Sequence, residues 1–210
     1  DNDEGPNTGG MGAYSPLPWL PDDFVKEVTD RVALPTVREM ARLGTPFVGL
    51  LYCGLIITKA GIRVIEFNAR FGDPETQVVL RRLVSPLAPL LHKAATGQLA
   101  GCSEPEFVDD VAITVVLASE GYPVSAAPER PITGIAEAET DEHIEIAHAA
   151  TKQTDQGLVA TGGRVLSVIA LNKSFAKARK HAYAAIEKIS LEGSHYRSDI
   201  AKKVAEDNHD

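Results

Sequence analysis

The sequence predicts an α+β protein in two parts, built on antiparallel sheets rather than on alternating strand–helix crossovers. Three observations lead there. Phe47 to Thr58 and Ile62 to Phe67 are strand-like apolar runs on either side of the short turn Lys59-Ala60-Gly61, a spacing that makes them antiparallel neighbours. Phe24, Val25, Val28, Val32, Val37 and Met40 recur at helical spacing and mark a helix from Asp22 to about Leu43. Beyond about residue 105 the texture changes to short strand-like runs separated by turn residues and followed by an amphipathic helix.

Taken in order, residues 1–20 read as loop. Asp22 or Asp23 is the expected N-cap of the first helix and Gly44 its C-terminal stop, while Pro35 predicts a kink or break near Leu34. After the paired strands, Asp73 is placed to cap a helix that starts at Pro74 and runs to Leu83. A further helix is expected from Pro86 to Thr96. Gly97 to Asp109 is the best linker, so the domains are taken as 1–105 and 106–210. In the second domain strands are expected at Val111–Ala118, Ile132–Glu137, Ile144–Ala149 and Arg164–Leu171. A covering helix follows over Phe175–Ile189, with a short one near Asp199–Ala205.

A formal net charge of −8 disfavours a nucleic-acid or membrane surface, since both need concentrated basic residues. No apolar run reaches the length of a membrane span. The opening Asp1-Asn2-Asp3-Glu4 is the reverse of a secretory signal, which makes the cytoplasm the expected location. A glycine-rich loop standing first, with no initiating Met, reads as a piece of a longer protein. Cys53 and Cys102 are too far apart to suggest a disulfide framework, and Cys53 is expected to be a buried, reduced thiol.

The chemistry is concentrated in Glu66-Phe67-Asn68-Ala69-Arg70. Side chains alternate along a strand, so Glu66 and Asn68 share one face and Phe67 points to the core. One anionic and one neutral oxygen ligand suit Mg²⁺, which takes one or two protein groups and completes its shell with water and phosphates. Arg70 is in reach of the same phosphates. From the residues alone, a solvated strand end whose charges alternate is the simpler explanation of so short a pattern. The loop Gly5-Pro6-Asn7-Thr8-Gly9-Gly10-Met11-Gly12 lets the backbone approach a ligand and form an anion-binding nest, or is a plain surface turn. Asp73 and Glu75 are either ligand contacts or a helix cap and first-turn acid.

Two long runs carry a resemblance. Asp3-x-Gly5-Pro6-Asn7-Thr8-Gly9-Gly10-Met11-Gly12-Ala13-Tyr14-Ser15-Pro16 and Val64-Ile65-Glu66-Phe67-Asn68-Ala69-Arg70-Phe71-Gly72-Asp73-Pro74-Glu75-Thr76-Gln77 resemble the phosphoribosylamine–glycine ligases, of the ATP-grasp superfamily. Gly121-Tyr122-Pro123, Thr161-Gly162-Gly163-Arg164-Val165-Leu166 and Tyr196-Arg197-x-Asp199-Ile200 look like that family's C-terminal domain. The resemblance implies the large lobe of an ATP-grasp fold followed by a small β-rich domain. It implies a ligase that joins 5-phosphoribosylamine to glycine with ATP hydrolysis, through a glycyl phosphate, in purine synthesis. Glu66 and Asn68 would hold Mg²⁺ or Mn²⁺ on the ATP phosphates, and Arg70 would stabilise the transferring phosphoryl group. Asn7, Thr8, Gly10 and Met11 would contact the acceptor substrate, with Asp73 and Glu75 as weaker candidates.

Phe47–Thr58 lacks the second metal carboxylate usual in ATP-grasp enzymes, which leaves the ion count open. The family's N-terminal half, with the lobe that clamps adenine, is the expected missing partner, so the chain alone is expected to be inactive. Another ATP-grasp ligase or carboxylase, or a non-catalytic scaffold fragment, are the alternatives. Gly162-Gly163-Arg164 is a turn and strand start, or closes over the nucleotide.

Overall fold

The computed structural model describes all residues except Asp3, Ala126 and 208–210. In chain order its elements are β1 (Gly12–Ser15), α1 (Phe24–Val28), a π-turn (Thr29–Ala33), α2 (Leu34–Arg42), β2 (Tyr52–Thr58), β3 (Gly61–Asn68), α3 (Glu75–Arg82) and α4 (Leu87–Ala95). There follow β4 (Val111–Ala118), β5 (Arg130–Pro131), α5 (Ile135–Ala138), β6 (Ile144–His148), β7 (Thr151–Thr154), β8 (Gly157–Ala160), β9 (Arg164–Asn172), α6 (Phe175–Ile186) and α7 (Lys202–Asp207). All paired strands are antiparallel, as expected. They divide between two compact units. One comprises Asp1–Pro16, Asp73–Arg82 and Phe107–Asp210; the other comprises Leu17–Gly72 and Leu83–Glu106.

The first unit is organised by β4, all eight residues of which are buried. That burial explains why its sequence is a continuous apolar run rather than an alternating one. It lies inside a sheet of order β1-β4-β9-β6. Val111, Ile113, Val115 and Leu117 belong to the main core with Phe175, Ala178, Ala182 and Ile186 of α6. The small alanines allow the helix a close approach, and Ser174 caps it by accepting the Lys177 N–H. Val116 and Ala118 instead join Met11 and Tyr122 in a smaller cluster beneath the glycine-rich segment. A second sheet has the order β5-β8-β7.

Four features of this unit depart from expectation. Residues 12–15 are not loop: Gly12 to Ser15 pair with Val115 to Ala112, and a Cβ on Gly12 would lie 2.7 Å from Thr114 O. The strand expected over Ile132–Glu137 is replaced by β5 and the one-turn α5, because Gly134 takes φ +84° where a Cβ would meet Lys188 O at 2.0 Å. The polar hairpin β7–β8 went unexpected. Helix α6 stops at Ile186, three residues short of the predicted end.

In the second unit Pro35 marks the irregularity expected near Leu34, where regular α-helix is interrupted by the π-turn over Thr29–Ala33. It sits in the first turn of α2, and the preceding π-turn carries the chain past it, with Leu34 N–H donating to Thr29 O five residues back. Asp23 occupies the N-cap position of α1 without a side-chain cap bond, and Gly44 follows α2 at φ +81°. The run Phe47–Thr58 becomes strand only from Tyr52. Phe67, expected in the core, is 42% exposed, since a two-stranded ribbon has too little sheet to bury a face. Cys53 is half-buried rather than buried; burial pushes its thiol pKa up, and both cysteines are free.

Candidate functional site

Glu66, Asn68 and Arg70 lie at the end of β3 in the second unit. Glu66 pairs with Gly54 and Asn68 with Tyr52. The register slips by one residue between Gly54 and Leu55, leaving Ile65 as a bulge that turns the strand end. A Cβ on Gly54 would lie 3.0 Å from Glu66 Cγ, so the missing side chain leaves Glu66 room across the hairpin. The period-two alternation brings Glu66 and Asn68 to one face, where Asn68 Nδ2 donates to Glu66 Oε1 at 2.9 Å. That bond uses the amide nitrogen and one carboxylate oxygen. Asn68 Oδ1 and Glu66 Oε2 remain, one neutral and one anionic hard oxygen, and this donor set fits a divalent cation that keeps most of its water. Arg70 Nη1 donates to Phe71 O at 2.7 Å, and its guanidinium is exposed. Among the described residues no group of three or more His, Cys, Asp or Glu could hold a metal by itself.

The glycine-rich loop, Asp73 and Glu75 lie in the first unit and are held together there. Arg164, the first residue of β9, donates from Nη1 to Gly9 O at 2.8 Å, Gly10 O at 3.2 Å and Asp73 O at 2.7 Å. Its Nη2 reaches Asp73 Oδ2 at 3.2 Å. Asp73 Oδ1 accepts from Gln77 Nε2 at 3.0 Å, so both carboxylate oxygens serve the loop–helix junction. Glu75 is the first-turn acid of α3. Tyr122 Oη accepts the Gly9 N–H at 2.9 Å, and Thr8 Oγ1 accepts the Gly10 N–H at 3.1 Å. Gly10 itself has φ +102°, and a Cβ there would stand 2.6 Å from Pro74 Cδ. Asp3, part of the sequence motif, lies outside the described residues.

Beside this loop is a cavity of about 660 Å³, reached by Asn7, Thr8, Gly10 and Met11 and also by Tyr122, His195 and Arg197. Arg197 donates from Nε and Nη2 to Asp199 at 2.8 and 2.7 Å, holding that carboxyl well below the usual carboxylate range. In the sequence Arg164 belongs to Gly162-Gly163-Arg164, read as a turn or a closure over the nucleotide. Tyr122 and Arg197 lie in the motifs quoted for the C-terminal domain and His195 in none, and nothing local ties any of them to the loop.

Replacing Arg164 with Lys keeps the charge and loses the planar fork. We expect a fall in stability of about 1–3 kcal/mol, the scale of lost hydrogen bonds to a charged group, read from denaturant melts. An unchanged midpoint would mean the fork holds nothing.

The fold is that of the ATP-grasp class. It resembles the biotin carboxylase domain of the Hydrogenobacter thermophilus 2-oxoglutarate carboxylase, solved with MgADP and bicarbonate, at a TM-score of 0.60 and 16% identity, covering 89% of this chain and 40% of that one. Family models for phosphoribosylglycinamide synthetase match twice, the ATP-grasp (A) domain over residues 1–76 and the C domain over 112–203. The chain belongs to the phosphoribosylglycinamide synthetase family. It is 62% identical over 206 residues to the phosphoribosylamine–glycine ligase of Leifsonia xyli subsp. xyli, covering 97% of this chain and 49% of that protein. The crystal structure of the phosphoribosylamine–glycine ligase from Thermotoga maritima superposes with a TM-score of 0.81 at 33% identity, over 96% of this chain and 49% of that one. The chain thus spans about half the length of the curated relatives it matches. Among the described residues no helix is long and apolar enough to cross a membrane.

Proposed function

We propose that this chain is part of a cytoplasmic ligase that joins 5-phosphoribosylamine and glycine, hydrolysing ATP to ADP and phosphate and giving glycinamide ribonucleotide for purine synthesis. The observation that carries this reading is the 62% identity to a phosphoribosylamine–glycine ligase, sustained over 97% of the chain. The domains are taken as 1–105, from the ATP-grasp domain, and 106–210, the C-terminal domain.

Glycine is activated when its carboxylate oxygen attacks the γ-phosphate and ADP leaves. The amine of phosphoribosylamine then attacks the glycyl carbonyl, and phosphate departs with the oxygen it gained. No protein nucleophile is required, so the residues act by positioning and by neutralising charge. Glu66 and Asn68 would hold Mg²⁺ or Mn²⁺, which supplies Lewis-acid polarisation of the ATP phosphates. Their shared face and remaining oxygens support that role. Arg70 neutralises the phosphoryl group in transfer. Asn7, Thr8, Gly10 and Met11 face the acceptor, and Asp73 and Glu75 are supporting candidates through the loop that Arg164 ties down.

The test is ADP release with glycine and phosphoribosylamine, measured for the 210-residue chain alone and for the intact ligase that contains it. The intact enzyme is expected to need both acceptors, and the chain alone to show negligible turnover. ADP release with bicarbonate in place of glycine would overturn the reading in favour of an ATP-grasp carboxylase.

A further inference from the structure

The glycine-rich loop has two sides. Gly10, Met11 and Gly12 line the cavity, whereas Gly9 and Arg164 are not among its lining residues. At Gly9 both backbone groups are taken from behind. Tyr122 Oη accepts its N–H at 2.9 Å, and Arg164 Nη1 donates to its carbonyl at 2.8 Å. The same Nη1 reaches Gly10 O at 3.2 Å and Asp73 O at 2.7 Å. A Cβ on Gly9 would stand 3.2 Å from both Arg164 Cζ and Tyr122 Oη, so this close seat leaves little room for a side chain. The guanidinium also grows from a fixed root. Gly163 O accepts the Ser119 N–H at 2.8 Å and Arg164 O accepts the Ala150 N–H at 3.1 Å.

A peptide unit is planar and trans, so its carbonyl and its N–H point in opposite directions. Holding Gly9 O therefore directs the Gly10 N–H, which donates to Thr8 Oγ1 at 3.1 Å. Holding Gly10 O directs the Met11 N–H away from Arg164, to the other side of the loop. Met11 keeps its side chain in the small buried cluster with Val116 and Ala118, and its carbonyl accepts the Val116 N–H at 3.0 Å. Its N–H is the polar group it offers to the cavity, and among the described residues that N–H has no hydrogen-bond partner. A backbone donor in that position is one that a ligand oxygen can satisfy. We propose that Arg164 is a positioning residue for the ligase reaction: from behind the loop it holds the Gly9 and Gly10 carbonyls and so aims the Met11 N–H at the bound acceptor. It touches no ligand itself. The role rests on the ligase reading; the grip on the two carbonyls does not.

The test is steady-state kinetics of the intact ligase, with Arg164→Lys set against Arg82→Lys. Arg82 is a second half-buried arginine, donating to Asp110 O at 2.7 Å, Val108 O at 3.0 Å and Ser15 Oγ at 2.9 Å, and it does not line the cavity. Lysine loses the planar fork at either place, so both variants should melt below the wild type by similar amounts. Arg164→Lys should raise KM for phosphoribosylamine at least about ten-fold, within the roughly 100-fold that a 1 Å misplacement can cost. Its KM for ATP should stay within about two-fold. Arg82→Lys should leave KM for phosphoribosylamine within about two-fold. Gly9→Ala, which crowds the guanidinium without changing any charge, should raise the same KM as Arg164→Lys does. An unchanged KM in Arg164→Lys or Gly9→Ala overturns the assignment. So does an equal rise in Arg82→Lys, because general loosening then accounts for the effect. Glycine-dependent ADP release by the wild type is read in the same experiment. Its presence with an insensitive KM sinks the positioning role alone, whereas its absence sinks the ligase reading and this role with it.

Discussion

Glu66→Ala in the intact ligase is expected to lower turnover on the order of 100- to 1,000-fold while the fold melts as before. The magnitude is that of removing the proposed anionic ligand to a cation that would stabilise several kcal/mol of charge in the transition state. The fold should survive because Glu66 is exposed and its side-chain hydrogen bond goes to Asn68, two residues along the same strand. Asn68→Ala should follow with a smaller loss, since it removes a neutral oxygen. Both are read by ADP release across a Mg²⁺ titration, where the variants should need more metal to reach half their maximal rate. Wild-type rates in Glu66→Ala would remove the basis for a metal at this strand end.

Gly10→Ala is the second large effect. Two independent penalties meet at this residue. The left-handed backbone, φ +102°, costs a side chain of order 1 kcal/mol or more, and the new Cβ would stand 2.6 Å from Pro74 Cδ, in a ring that has little freedom to yield. The loop would have to move, and with it the carbonyls of Gly9 and Gly10 that Arg164 binds. A loss of about 2–4 kcal/mol is expected, a fall of roughly 4–16 °C in Tm for a chain of this size, together with a raised KM for phosphoribosylamine. Gly5→Ala is the internal control. Its φ is +96° but nothing lies within 4 Å of a built Cβ, so only the backbone penalty applies and the loss should be about half as large. Equal effects in the two variants would mean that the contact with Pro74 is unimportant.

Much of the fold was readable where a physical period extended over enough residues. Strand β4 and helix α6 declare themselves through a continuous apolar run and a helical stripe, and the β2–β3 hairpin through two apolar runs around a short turn. What escaped depended on distant partners. Residues Gly12 to Ser15 are strand because β4 lies beside them, a hundred residues later in the chain. The hairpin β7–β8, Thr151-Lys152-Gln153-Thr154 and Gly157-Leu158-Val159-Ala160, is too polar on its first arm to alternate. Helix α5 depends on Gly134 meeting the backbone at Lys188. The candidate site divides in the same way. That Glu66 and Asn68 share a face follows from strand alternation, so their hydrogen bond was foreseeable. That Arg164 fastens Gly9, 155 residues away, and Asp73, 91 residues away, is a tertiary fact with no local signal. Phe67 shows the converse error: alternation gave its direction, but a two-stranded ribbon has no core to receive it.

We propose that this chain serves the family's chemistry, activation of glycine by ATP followed by attack of phosphoribosylamine. The most direct test follows oxygen. The intact ligase is supplied with ATP, phosphoribosylamine and glycine labelled with oxygen-18 in its carboxylate, and the released phosphate is analysed by mass spectrometry. The account predicts one labelled oxygen transferred to phosphate per turnover, with label transfer and turnover lost together in Glu66→Ala. Phosphate released without label while glycinamide ribonucleotide accumulates would contradict it.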